Sequence, residues 1–133
     1  MARKAEQPKK FEISDFFTKS KAEIGTTIDL LLPDGTPTGE RLTIVGNESD
    51  TFRRAKSAAE RAALDLARIE DLQERDDAIY DQTVIICARC VIGWTLSTPC
   101  TFENVYELLS NAPYIKRLVD VAIGNRALFF ARS

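Results

Sequence analysis

The side chains that could support chemistry in this chain of 133 residues are three cysteines and a run of acidic residues, and there is no histidine. Without histidine the commonest general base, the serine triads and most catalytic metal sites are excluded. Cys87 and Cys90 have the Cys-x-x-Cys spacing of redox and zinc motifs, but they lie inside an apolar run. Only Cys100 remains, which leaves a four-ligand zinc site incomplete. We therefore expect reduced cysteines that act as small core residues.

Eight acidic residues lie within residues 60–81 and raise the question of a divalent-cation site. Their spacing is helical and they form no turn-like loop, which favours a solvated helix face. The chain also lacks a Walker loop and a Gly-x-Gly-x-x-Gly motif. The sequence therefore predicts no catalytic residue, no metal and no cofactor. It points to a protein that works by contact and not to an enzyme.

The overall composition is that of a soluble globular domain, with 44% apolar and 29% charged residues. The formal net charge of −2 provides no basic field that would attract nucleic acid. Residues 1–10 are rich in lysine and arginine without a following apolar segment, so we expect a disordered basic tail and no signal peptide. The most apolar stretch, residues 84–96, is too short to cross a membrane and contains Arg89. We expect a cytoplasmic protein with a single domain over residues 11–133.

A β-hairpin is predicted over residues 26–46. Residues 27–32 and 41–45 are the candidate strands, and the second alternates apolar Leu42 and Ile44 with polar neighbours. Asp34-Gly35 between them favours the positive φ angles of a tight turn. A two-stranded hairpin is marginal alone, so it needs helices or further strands against it.

Four helices are predicted at about 50–73, 77–96, 102–110 and 113–131. Ser49 or Asp50 is the expected N-cap of the first, Thr101 of the third and Asn111 of the fourth. A break is expected near residues 73–77, where charges interrupt the apolar stripe. Residues 84–94 could also form a buried strand, although the length of the run favours a helix. The predicted fold class is α+β, mostly helical, with one N-terminal antiparallel hairpin packed on a small helical bundle.

The C-terminal third carries the candidate contact residues. A chain that ends in an apolar helix must pack that helix on its own domain or meet a partner. Large aromatic side chains are common anchors of protein interfaces. The candidate protein-binding residues are therefore Trp94, Phe102, Tyr114, Phe129 and Phe130. Core packing is the alternative for each of them. The marginal hairpin and the apolar terminus together predict self-association as a homo-oligomer.

The last two predicted helices also suggest a helix-turn-helix arrangement for DNA. Lys116, Arg117, Arg126 and Arg132 could contact phosphates. However, the second helix opens with Pro113 and Tyr114 in place of base-reading side chains, and the chain is acidic as a whole. A DNA-binding regulator therefore stays an alternative that the sequence disfavours.

The order of several short segments resembles the tail assembly chaperones of long-tailed bacteriophages. The segments are residues 15–23, the hairpin leading into residues 46–54, Trp94, residues 102–105, Pro113 and the closing aromatic helix. The resemblance spans roughly residues 13–130. It implies a chaperone that binds the tape measure protein and helps the tail tube protein to polymerise. Such a protein would act in the host cytoplasm during infection and be absent from the mature virion. A structural tail-completion or connector protein is the alternative.

Overall fold

A computed structural model describes residues 10–130 of the chain. In chain order the elements are a 3-10 turn (Ile13–Phe16), α1 (Lys19–Ile24), β1 (Thr26–Leu31), β2 (Pro37–Ile44), α2 (Asp50–Leu66), α3 (Leu72–Cys90), β3 (Val91–Trp94), α4 (Phe102–Asn111), α5 (Pro113–Ile123) and α6 (Arg126–Phe130). The predicted fold class, mostly helical α+β with an N-terminal antiparallel hairpin, is confirmed. The basic tail predicted for residues 1–10 lies outside the described residues except for Lys10.

The sheet has three antiparallel strands in the order β1-β2-β3, so β2 is its centre. The hairpin turn is where the sequence predicts it. Gly35 has a φ of 91°, and the Asp34 carboxylate accepts a hydrogen bond from the Thr36 N–H at 2.9 Å. Leu42 and Ile44 on β2 are completely buried, which confirms the half-buried alternation of this strand.

The third strand corrects the predicted helix over residues 77–96. Helix α3 ends at Cys90, and residues 91–94 pair with β2, with Trp94 opposite Leu42 and Gly93 opposite Thr43. The Val45 N–H donates to the Cys90 carbonyl at 2.9 Å and extends the contact between the two segments. The strand predicted as the alternative to a helix for residues 84–94 therefore forms only over residues 91–94. β2 needs a partner on its second edge, and a β-branched segment directly after α3 supplies it.

Three further helix boundaries differ from the prediction. Helix α2 ends at Leu66, and the break predicted near residues 73–77 lies at residues 67–71. Helix α3 begins earlier than predicted because the Asp71 carboxylate caps it, accepting from the Glu74 N–H at 2.7 Å. The helix predicted over residues 113–131 is divided into α5 and α6 around Gly124.

The N-caps of α2 and α4 are those the sequence indicates. The Ser49 hydroxyl accepts from the Phe52 N–H at 3.1 Å, and the Thr101 hydroxyl accepts from the Asn104 N–H at 3.2 Å. The Asn111 cap is wrong, because Asn111 is the last residue of α4 and its amide donates back to the Glu107 carbonyl at 2.8 Å. Ala112 occupies the N-cap position of α5.

One apolar core joins one face of the sheet to the C-terminal half of α3 and to α4 and α5. Its most buried members are Leu42, Ile44, Val45, Val84, Cys87, Cys90, Val105, Leu109 and Val119. Helix α2 has no buried residue, and of its side chains Phe52 in the first turn packs against this core. The 3-10 turn and α6 also have none.

Candidate protein-contact surface

The most exposed cluster of large apolar side chains lies at the N-terminus, on the 3-10 turn and α1. Ile13 is 80% exposed, Phe16 70%, Phe17 66% and Ile24 71%. We call these four side chains the N-terminal apolar surface. Single exposed apolar residues are normal on a protein, whereas neighbouring ones mark an interaction site. This grouping therefore identifies a candidate contact site.

Local sequence explains the backbone that presents this surface. The Asp15 carboxylate accepts a hydrogen bond from the Glu12 N–H at 2.9 Å, which closes the 3-10 turn. Gly25 ends α1 with a φ of 90°, a conformation that favours glycine, and its N–H donates to the Lys21 carbonyl at 3.0 Å. Ala22 is the one buried residue of α1 and sets which face of the helix meets the domain.

Polar contacts attach α1 to the first turn of α2. The Lys19 ammonium lies 3.1 Å from the Asp50 carboxylate. The Glu23 carboxylate accepts from the Thr51 N–H at 3.2 Å and from the Thr51 hydroxyl at 2.6 Å. Negative charge is favourable at a helix N-terminus, and hydrogen bonding to Lys19 lowers the pKa of Asp50 below its usual range. These contacts hold α1 by its polar side.

The result is an open cleft lined by both apolar and charged side chains. Phe16, Phe17 and Ile24 supply the apolar lining, while Lys19 and Asp50 are among the polar residues beside them. The cleft has a volume of about 810 Å³, which is enough for several apolar side chains of another protein. Apolar contact with a polar border is the chemistry that this arrangement supports.

A second set of contacts joins α1 to the C-terminal helix α6. The Thr18 hydroxyl donates to the Glu48 carboxylate, and the Arg126 guanidinium lies 2.5 Å from the same carboxylate. Both partners lower the pKa of Glu48, with the Thr18 hydrogen bond the larger cause. The Lys21 ammonium lies 5.5 Å from the centre of the Phe130 ring. These contacts connect α6 to α1.

Phe129 and Phe130, predicted as contact residues, are both half-buried. They share a shallow depression with Ala22, Gly46 and Ile123. The Phe129 ring is so close to Gly46 that a Cβ atom there would lie 3.2 Å from it. Most of the Phe129 side chain therefore packs within the domain, and its predicted role toward a partner stays a prediction.

The other three predicted aromatics lie at separate places. Trp94 is half-buried on β3, and its indole N–H donates to the Thr98 carbonyl at 2.6 Å. Phe102 packs on the core with the Arg89 guanidinium 3.8 Å from its ring centre. Tyr114 is 37% exposed, and its hydroxyl donates to the Leu31 carbonyl at 2.8 Å.

Sequence reasoning therefore placed the contact surface at the C-terminal end, while the structure leaves the N-terminal apolar residues more exposed. A usable signal was present, because residues 11–17 combine several large apolar side chains with no helical or strand periodicity. Ile24 gave no such signal, since its exposure depends on how α1 docks.

The cysteines have the role that the sequence predicts. Cys87 and Cys90 are free, buried members of the core, and Cys100 is half-buried. Burial raises the pKa of Cys87 to about 11 and of Cys90 to about 12. Both thiols are therefore protonated near neutral pH and unsuited to nucleophilic chemistry.

The charged residues form no metal-ligand cluster within residues 10–130. Most acids of residues 60–81 are exposed, and Asp81 accepts a hydrogen bond from the Tyr106 hydroxyl. Of the basic residues considered for DNA, Arg126 pairs with Glu48, Lys116 lies 5.0 Å from the centre of the Tyr80 ring, and Arg132 is outside the described residues.

In the described part of the chain, every helix is too short or too polar to span a membrane. Comparison with known proteins found no matching family model, no matching curated protein and no matching solved structure.

Proposed function

We propose that this protein is an assembly chaperone that acts by protein contact and holds an apolar helical segment of a client protein. The observation that carries the proposal is the N-terminal apolar surface, whose side chains are exposed on the 3-10 turn, at Phe17 directly after it and on α1, with α1 anchored through several polar contacts. The resemblance to phage tail assembly chaperones implies that the client is the tape measure protein. It also implies that the tail tube protein is a second partner and that assembly takes place in the host cytoplasm.

The energetics of exposure support this proposal. Fully burying one large apolar side chain contributes about 1.5–3 kcal/mol relative to leaving it in water. Burial of four such side chains against a partner would therefore contribute several kcal/mol to the free energy of binding. Because α1 is fixed to α2 before binding, the backbone that carries Ile24 adds little ordering cost.

The mixed apolar and charged lining of the cleft suits an amphipathic helix as the bound segment. Such a helix inserts apolar side chains spaced three and four residues apart and keeps its polar face in water. Lys19, Glu23 and Asp50 also line the cleft, so charged groups that already pair within the domain lie beside the apolar side chains. A chaperone with this surface would cover apolar stretches of a long client without sequence-specific contacts.

The test is co-expression of the client tape measure protein with this chain and with the double variant Phe16→Ser/Phe17→Ser. Both side chains are exposed, so the variant should fold as the wild type does. We expect the amount of soluble client that co-purifies to fall by about tenfold or more, which corresponds to the loss of one or two buried anchors.

The matched control is Leu118→Ser/Val121→Ser, which removes two exposed apolar side chains from α5. It should retain the client as the wild type does. Equal client retention by the Phe16/Phe17 variant would overturn the proposal. So would mass spectrometry that finds the chain as a stoichiometric component of purified virions, because a structural component and not a chaperone stays in the particle.

A further inference from the structure

Helix α2 is amphipathic along its whole length, but its own chain does not bury it. None of its 17 residues is buried, although Ala59 and Leu66 lie beside apolar residues of α3 and Phe52 packs against the core. Beyond its first turn, α2 packs against α3 and lies outside the core. A helix of this kind normally gains its stability from burial of its apolar face. The α2–α3 hairpin therefore lacks a layer on one side.

That open side is a groove between the two helices. Its apolar lining is Ala59, Ala63 and Leu66 from α2 together with Ile79 and Ile86 from α3, and we call this the hairpin groove. The groove has a volume of about 240 Å³ and is open to solvent. Ile79, on the α3 side of the groove, is 47% exposed.

Charge is distributed unevenly along the hairpin. Residues 50–61 at the start of α2 contain four basic and two acidic residues, whereas residues 70–81 at the start of α3 contain six acidic and one basic. The short connection at residues 67–71 makes the two helices antiparallel. We call the end of the hairpin beside the core its base and the end at residues 67–71 its tip. The base is therefore positively charged and the tip negatively charged.

These opposite charges do not neutralise each other within one chain. Among residues 10–130, the ion pairs of the hairpin join Asp50 to Lys19 and Arg53, and Asp65 to Arg68. In that part of the chain no ion pair links α2 to α3, and neither Lys56 on the groove nor Asp76 near the tip has an ion-pair partner.

We propose that the hairpin groove binds the same groove of a second copy of this chain, in an antiparallel arrangement about a two-fold axis. At 1.5 Å per residue, Lys56 lies about 9 Å from the middle of the groove toward the base, and Asp76 lies about 9 Å from it toward the tip. The two-fold rotation therefore brings Lys56 of each copy to the level of Asp76 of the other. A surface whose charges complement themselves under this rotation fits a second copy better than an unrelated partner.

The size of the surface sets the expected strength. A face of two helices about 25 Å long and 20 Å wide buries about 500 Å² per copy, which is near the lower limit of specific interfaces. We therefore expect a reversible dimer with a dissociation constant of about 1–100 µM that weakens as salt screens the charges. The resulting four-helix layer would cover Ile79 and Leu66 of both copies. This surface is separate from the N-terminal apolar surface, so the inference goes beyond the proposed function.

The test is sedimentation velocity of the full chain from about 1 to 200 µM, at about 50 mM and 500 mM salt. The charge reversals Lys56→Glu and Asp76→Lys should each weaken the dimer by about fivefold to tenfold, since each reversal acts twice in a symmetric pair. The combined variant Lys56→Glu/Asp76→Lys should restore wild-type affinity, because the rotated charges again attract. Ile79→Ser should weaken the dimer by about tenfold at both salt concentrations.

The matched control is Arg117→Glu, an exposed charge reversal on α5, which should leave the dimer unchanged. Phe16→Ser/Phe17→Ser should also leave it unchanged, so failure of this inference and failure of the proposed function are distinguishable. Circular dichroism should show that each variant keeps the helical content of the wild type. A strict monomer at about 200 µM and low salt overturns the proposal. A dimer that both single reversals leave intact, or that the double reversal fails to restore, overturns it too.

Discussion

Replacing Gly25 by alanine should weaken the packing of the 3-10 turn and α1, which carry the proposed contact surface. Gly25 links α1 to β1 with a φ of 90°, and a Cβ atom at this position would lie 2.4 Å from the carbonyl oxygen of Ile44 on β2. No ordinary contact is that short, and the obstacle is backbone at the centre of the sheet. The chain before β1 must therefore move away from β2 to accommodate the methyl group.

The magnitude follows from two separate costs. A left-handed φ costs an L-residue about 1–2 kcal/mol relative to glycine. Forcing an extra methyl group against a packed backbone costs about 1–3 kcal/mol more. Gly35→Ala separates the two, because Gly35 has nearly the same φ of 91° but a Cβ atom there meets nothing within 4 Å. We expect Gly35→Ala to lower the free energy of unfolding by about 1–2 kcal/mol and Gly25→Ala by about 2–5 kcal/mol.

Urea denaturation followed by the fluorescence of Trp94, the only tryptophan, measures both variants. Trp94 pairs with β2 and so reports on the sheet that Gly25 touches. Hydrogen exchange should also show faster exchange of the α1 amides in Gly25→Ala and not in Gly35→Ala. Equal losses of unfolding free energy in the two variants would refute the close approach of Gly25 to Ile44.

Two further predictions concern titratable groups. Burial raises the pKa of Cys87 to about 11 and of Cys90 to about 12, so iodoacetamide at about pH 8 should alkylate Cys100 first and the other two only in denaturant. Mass spectrometry that shows equal rates for all three thiols would contradict this order. Hydrogen bonding by Thr18 lowers the pKa of Glu48 below its usual 4.5, so the stability it contributes is present above that pH and lost as the pH falls through the folded-state pKa. Urea midpoints should therefore decline less on acidification in Glu48→Gln than in the wild type, and parallel declines would show that this carboxylate is not linked to folding.

Much of the fold could be predicted because the signals are local. Asp34-Gly35 specifies its turn through backbone preferences, and the alternation around Leu42 identifies the face of β2 that becomes buried. Ser49 and Thr101 cap helices through hydrogen bonds to residues three positions away, so neighbouring residues alone suffice to recognise them. Such features depend on few residues and little on the rest of the chain.

Residues 84–94 form a segment whose secondary structure is not determined by local sequence signals. The run is apolar on all sides, and neither the period of a helix nor that of a strand stands out. The change from α3 to β3 at Val91 depends on β2, which lies about fifty residues earlier and has a free edge to fill. A pairing between distant segments is invisible to any reading of neighbouring residues.

The contact residues illustrate the same division. By itself the sequence determined the helical α+β class, the absence of histidine chemistry, the turn of the N-terminal hairpin and two helix caps, because composition and short-range hydrogen bonding decide these. Only the tertiary structure decided that Phe129 packs against Gly46 while Phe16 and Phe17 stay in water. It also decided that α2 packs on α3 and reaches the core only through Phe52 in its first turn. The physical reason is that burial is a property of the neighbours a side chain acquires on folding, and two phenylalanines of the same type differ only in those neighbours.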